Sequence, residues 1–196
     1  MFSPIEMLWA FIGLVLTIGG TFLEAFIAGI PLRFWINPVF PPLHSLGVTC
    51  QVGAVLMVGC LGGKNAGAMS QIAYLILGLT YLQVFTHGGG INYLSQPTFG
   101  YLLGFVPGAW LCGWMAFHFT RTLETLAISC LYGLLAIHLT GISYLAVIHF
   151  FDGDRTGWGG LGQLILTYSI ADLPGQLALV CAVTVITFVL RNIMFY

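Results

Sequence analysis

Charge is what this sequence has least of. Lys and Arg together number 5 and Asp and Glu 6 in 196 residues, or 6% of the chain, where soluble domains carry roughly 25%. So few charges cannot coat a globular surface, and lipid must therefore be much of the solvent. The net charge of −1 and the lack of a basic stripe exclude nucleic acid as a partner. None of the five cysteines (Cys50, Cys60, Cys112, Cys130, Cys181) forms a C-x-x-C pair. They read as reduced packing residues, with no disulfide framework and no metal site.

Catalytic patterns are absent as well. There is no G-x-S-x-G. The histidines at 44, 87, 118, 138 and 149 include no i, i+4 pair enclosing a carboxylate, as a zinc protease needs. Gly62-Gly63-Lys64 looks like the end of a phosphate-binding loop, but Asn65 stands where Ser or Thr is required and Val58 where the leading Gly belongs. Neither an enzyme nor a nucleotide-binding chain is expected. No Lys or Arg precedes the first apolar run, so no cleavable leader is expected.

What is abundant is apolar: 59% hydrophobic residues and a mean hydropathy of +0.99. A bilayer span needs about 20 apolar residues. The chain reads as an all-α membrane protein, a single membrane domain over 1–196 with six spans, at about 6–30, 46–61, 66–85, 99–118, 125–151 and 172–190. Helices are required because the runs do not alternate as barrel strands do. The connections are 31–44, the turn Gly62–Asn65, the polar segment His87–Thr98, the charged turn Arg121–Glu124, and Asp152–Tyr168, a Gly-rich stretch of re-entrant or interfacial character. With the N-terminus in the cytoplasm, inner connections hold Lys64, Arg121 and Arg191, and outer ones Arg33 and Arg155. That count favours this orientation and puts the longest connections outside, facing incoming solute.

In the first span Gly13, Thr17, Thr21, Ala25 and Gly29 recur every fourth residue. Such a ridge admits a close helix, either within the chain or as a docking face for a partner subunit. Glu24 and Asp172 are the carboxylates inside or beside spans. Glu24 reads equally as a structural pair or a ligand contact, and Asp172 as a helix cap or a ligand contact. His138 reads as a hydrogen-bonded bundle residue or a proton relay. His87 is a ligand or a local cap. His87–Thr98 packs three glycines, Asn92, Tyr93, Gln96, Pro97 and Thr98 between two spans. Its glycines, Gly89 among them, let backbone amides approach a ligand, and its amides offer donors and acceptors.

The run from Tyr93 to Phe105, Y-L-S-Q-P-T-F-G-Y-L-L-G-F, resembles the BioY signature G-P-T-G-G-Y-L-x-G-F. Gln83–Gly90 is similar to the P-V-F and Gly-rich turn that precede it. Val48–Gln51 resembles the family's T-L-Q, and Gly59–Gly78 its glycine-spaced third span. BioY proteins are the biotin-binding S components of energy-coupling factor (ECF) transporters. The resemblance covers roughly residues 48–108, with an echo at Leu173–Gln176, where Gln176 replaces the Asp of the family's P-G-D-L-x-x-K and the Lys is lost as well. It implies an S-component fold in the plasma membrane, and capture of biotin as transported ligand rather than as cofactor. It also implies docking onto a transmembrane T subunit driven by two ATPase subunits. A homo-oligomer, or a self-sufficient carrier or channel for another vitamin-like solute, is the alternative. In the biotin reading Asn92, Gln96, Thr98 and Gln176 suit the ureido head, with Asp172 near Gln176. Tyr93, Tyr101, Trp110 and Trp158 would pack the rings. Arg155, His87 or a helix N-terminus would meet the carboxylate.

Overall fold

The structure, a computed structural model, describes residues 3–28, 43–80, 82–86, 88–152 and 160–194. His87, Arg155, Trp158, Arg33 and Gly29 lie outside the described residues.

Helix α1 (Pro4–Phe22) starts at Ser3. The Ser3 hydroxyl accepts from the Glu6 amide while the Glu6 carboxylate accepts from the Ser3 amide, and Pro4 opens the first turn. The helix ends at Leu23, whose extended backbone leads into strand β1 (Glu24–Ala28). β1 pairs antiparallel with β2 (Leu43–Thr49). This shortens the expected first span: Glu24 and Ala25 belong to a hairpin, and Glu24 is exposed, accepting from the Ser45 hydroxyl at 3.4 Å. The second expected span likewise begins later, at Gln51, because residues 43–49 are spent on pairing.

Helix α2 (Gln51–Leu79) contains the second and third expected spans in one helical element. It doubles back at Gly63, whose φ of 81° and ψ of 177° belong to a region essentially restricted to glycine. The reversal is shown by Gln51, whose Nε2 donates to the Tyr74 hydroxyl at 2.8 Å; a straight helix would hold these residues about 35 Å apart. Five helices among the described residues are long and apolar enough to cross a bilayer, not six, because the second and third expected spans are two arms of the single helical element α2. Gly63→Ala is expected to destabilise the protein by about 1–3 kcal/mol, read as a fall of several degrees in the unfolding midpoint in detergent.

A 3₁₀ turn (Ile91–Ser95) precedes α3 (Phe99–His118), and α4 (Leu123–Asp152) follows it. A short α5 (Leu161–Ile165) continues through a π-helical turn (Leu166–Ile170) into α6 (Leu173–Met194). Residues from Leu161 onward, expected as connection, are therefore helical. With α6 they form an apolar stretch of 34 residues.

The small-residue ridge of α1 faces inward. A Cβ on Gly13 would lie 2.6 Å from Val58 Cγ1. Thr17 accepts from Gln71 Nε2 at 3.1 Å, and Thr21 lies 3.2 Å from the Tyr74 hydroxyl. Gly13, Thr17 and Thr21 are buried against α2, and Ala25 is buried in β1. The part of the ridge from Gly13 to Thr21 therefore packs within the chain, against α2. The opposite side of α1 exposes Leu8, Phe11 and Val15, as a lipid-facing side does.

One end of the bundle gathers the described cations. Asn65 donates to Glu6 at 2.8 Å, Gly113 packs on the Lys64 backbone, and Arg191 donates to the Ala116 carbonyl at 2.7 Å. Arg121 lies just beyond the end of α3. Lys64, Arg121 and Arg191, the Lys and Arg among the described residues, therefore share that end. The β-hairpin and the 3₁₀ turn occupy the other.

Candidate functional site

An aromatic chain closes the end away from Lys64, Arg121 and Arg191. Ring centroids step from Tyr74 to Phe85 (5.2 Å), to Tyr93 (4.7 Å), to Phe99 (6.4 Å) and to Tyr144 (5.7 Å). Edge-to-face and tilted pairs of this kind are favourable. They pin the segment after α2 across the bundle. The Tyr144 hydroxyl donates to the Leu94 carbonyl, and the Gly90 amide donates to Gly78 O at 2.7 Å.

Beneath this cover lies a cavity of about 270 Å³, near the lower edge of the roughly 300–1,000 Å³ typical of small-molecule pockets. Val52, Leu102, Phe105 and Ile137 form its apolar wall. Its polar groups come from five places: Thr49 on β2, Gln51 at the start of α2, Thr86 and Tyr93 on the covering segment, Thr98 and Tyr101 around the start of α3, and Tyr168, Asp172 and Gln176 around the start of α6.

Of the sequence candidates, Tyr93, Thr98, Tyr101, Asp172 and Gln176 line this cavity. Gly89, Asn92, Gln96 and Pro97 do not. In a 3₁₀ turn successive side chains lie about 120° apart, so burying Tyr93 turns Asn92 and Leu94 outward; Asn92 and Gln96 are exposed. Gly89 presses on the Gly78 and Leu82 carbonyls, each 2.7 Å from where a Cβ would sit. Its role is close approach within the chain. Pro97 is buried in the turn ahead of α3. Trp110 is 43% exposed and stacks on Trp114, away from the cavity.

Two local devices aim the polar groups. Buried Gln176 receives a hydrogen bond from His138, with Nε2 and Oε1 2.7 Å apart. A carbonyl oxygen only accepts, so His138 Nε2 is the donor, while Nδ1 has no hydrogen-bond partner. The Gln176 amide N–H groups are left uncommitted on the cavity side. His138 is thus the hydrogen-bonded bundle residue of the two sequence alternatives. The second device is the π-helical turn, a feature frequent at functional sites. It brings Ser169 within 2.6 Å of the Tyr101 hydroxyl and Tyr168 to the wall. Asp172 is the carboxylate among the lining residues and is half-buried. The described lining contains no Lys or Arg.

Sequence reasoning had marked Thr49 and Gln51 only as part of a motif. A glutamine in the first turn of an apolar helix was the available signal, since polar side chains at membrane depth are rare and functional. Thr86 and Tyr168 carried none. The arrangement can hold a small neutral or mixed-polarity molecule, with Asp172 accepting from its N–H groups, Gln176 and Gln51 offering amide donors, and the apolar wall covering its hydrocarbon part.

Comparison with known proteins agrees with this layout. The chain is 40% identical over 145 residues to a Lysinibacillus sphaericus protein described as "Probable biotin transporter BioY", covering 70% of this chain and 74% of that one. It is 37% identical over 92 residues to the "Biotin transporter BioY" of Thermotoga maritima, covering 46% of this chain and 53% of that one. Its fold matches the crystal structure of an S-component for biotin from an ECF-type ABC transporter, with a TM-score of 0.70, 20% identity, and coverage of 98% of this chain and 95% of the other. The BioY family pattern itself matches residues 5–195, nearly the whole of the sequence, and the chain belongs to the BioY family.

Proposed function

We propose that this chain is a plasma-membrane biotin-uptake subunit that captures biotin in the cavity beneath the covering segment and releases it inward. The observation that carries the reading is the cavity's division of labour. Asp172, Gln176 and Gln51 stand against an apolar wall of Val52, Leu102, Phe105 and Ile137. A ureido ring has two N–H donors and one carbonyl acceptor. Asp172 takes the donors, a glutamine amide serves the carbonyl, and the thiophane ring and chain lie on the wall.

The charge asymmetry supports capture from outside. The described cations cluster at the end away from the cavity, and Lys and Arg mark the cytoplasmic side. The chain acts as one membrane domain over 1–196. The two arms of α2 cross as a pair, making six crossings and leaving both termini inside. His87 and Arg155 are the candidates for the ligand carboxylate, since the described lining offers no cation. ATP-driven uptake needs a T subunit and ATPase subunits from other chains, as this sequence has no nucleotide site. Membership of a transporter family accords with the lack of any catalytic constellation.

Isothermal titration of the purified protein tests the reading. Biotin is expected to bind at one per chain with no ATP present. No heat with biotin, but heat with another vitamin, overturns the assignment and leaves the cavity standing.

A further inference from the structure

Three buried thiols from three helices converge in the half of the bundle away from the cavity. Cys60 on α2 lies 3.4 Å from Cys112 on α3 and 3.6 Å from Cys130 on α4, sulfur to sulfur, and all three sulfurs fall within 4.8 Å of one another. Cys60, Cys112 and Cys130 are each fully buried. These separations exceed a disulfide bond by more than 1 Å. Two of them fall a little under the spacing of about 4 Å that sulfurs take around one metal at bond lengths of about 2.3 Å, and the third is within 4.8 Å. Beyond one another, Cys112 meets the Leu56 carbonyl at 3.6 Å and Cys130 the Thr184 hydroxyl.

The second observation is Arg191. It is 2% exposed, with Nε unpartnered. Its Nη1 donates to a backbone carbonyl and its guanidinium lies 4.4 Å from the Phe117 ring centroid. No carboxylate is among these partners. A buried, unbalanced cation is expensive, and its carbonyl partner Ala116 lies one helical turn from Cys112 on α3.

We propose that Cys60, Cys112 and Cys130 form a binding site for a soft d¹⁰ cation, Cu(I), held by three sulfurs. Thiolate ligands select soft metals, and three rather than four donors favour Cu(I) over zinc, which takes a fourth ligand. Two thiol protons leave to solvent as the metal enters. The two thiolates, one thiol and Cu(I) then carry a charge of −1, which Arg191 balances.

The test is anaerobic titration of the intact purified protein with Cu(I) against a chromogenic Cu(I) chelator, followed by X-ray absorption spectroscopy of the loaded protein. One Cu(I) per chain, three sulfur neighbours and two protons released per metal are expected. The triple variant Cys60→Ala, Cys112→Ala, Cys130→Ala should lose binding at least 100-fold, while Cys50→Ala with Cys181→Ala keeps it. A wild type that takes no more copper than the triple variant, a sulfur count below three, or tighter uptake of Zn(II) overturns the proposal. The stoichiometry and sulfur count come from the wild type, so they decide the matter even if the triple variant does not fold. Biotin titration on the same samples reads the other site separately.

Discussion

Asp172→Asn is expected to weaken biotin binding by about 10- to 150-fold, the equivalent of losing a charged hydrogen bond worth roughly 1.5–3 kcal/mol. The change is isosteric, so the cavity keeps its shape. What changes is polarity: one carboxylate oxygen becomes an NH₂ group, and a donor then faces the ureido donors. Asp172 is the carboxylate of the described lining, so no other lining group there can take its place. Isothermal titration measures the affinity, and an unchanged unfolding midpoint shows that the fold survives. A variant binding biotin as tightly as the wild type would remove Asp172 from the ligand and leave Tyr93, Tyr101 and Gln176 as the polar side of the site.

The largest structural effect is expected at the α3–α4 seam. A Cβ on Gly104 would lie 2.7 Å from the Ile137 carbonyl oxygen and 2.9 Å from Ile137 Cα. Both are backbone atoms and cannot rotate aside. Gly104→Leu must therefore push the helices apart, at a cost of at least about 3 kcal/mol, beyond the usual range for overpacking. Ile137, on the displaced part of α4, lines the cavity with Leu102 and Phe105 of α3, and His138 lies edge-on to Tyr101, so the cavity wall opens as well. The measurable outcome is loss of a monodisperse peak on size exclusion, together with loss of ligand binding. Gly162→Leu is the control: nothing lies within 4 Å of a Cβ there, and that variant is expected to behave as the wild type. Equal tolerance at both positions would show that the two helices do not depend on contact at Gly104.

The site was only partly legible in the sequence. Tyr93, Thr98, Tyr101, Asp172 and Gln176 could be marked because polar or hydroxylic side chains beside apolar runs stand out. Asn92 and Gln96 stood out for the same reason, yet they face away. Their direction depends on the 3₁₀ turn that buries Tyr93, and a turn of that kind has no apolar periodicity to announce it. The stripe Gly13, Thr17, Thr21 was visible as a close-packing face; which helix fills it was not. Glu24 and Ala25 looked like the end of a span because apolar strand and apolar helix residues are alike in composition. Pairing with Leu43–Thr49, remote in sequence, decided for the strand.

Scarcity of charge and continuity of apolar runs were enough to determine a helical membrane protein, since both follow from solvation, a property each residue carries alone. The positions of α3 and α4 followed within a few residues for the same reason, whereas the first span was read too long and the helical stretch before α6 was read as connection. Only the tertiary structure decided that α2 doubles back at Gly63, that His138 orients Gln176, and that Cys60, Cys112 and Cys130 meet. Each of those depends on groups far apart in sequence coming within bonding distance, and the one-dimensional pattern of polarity holds no record of that.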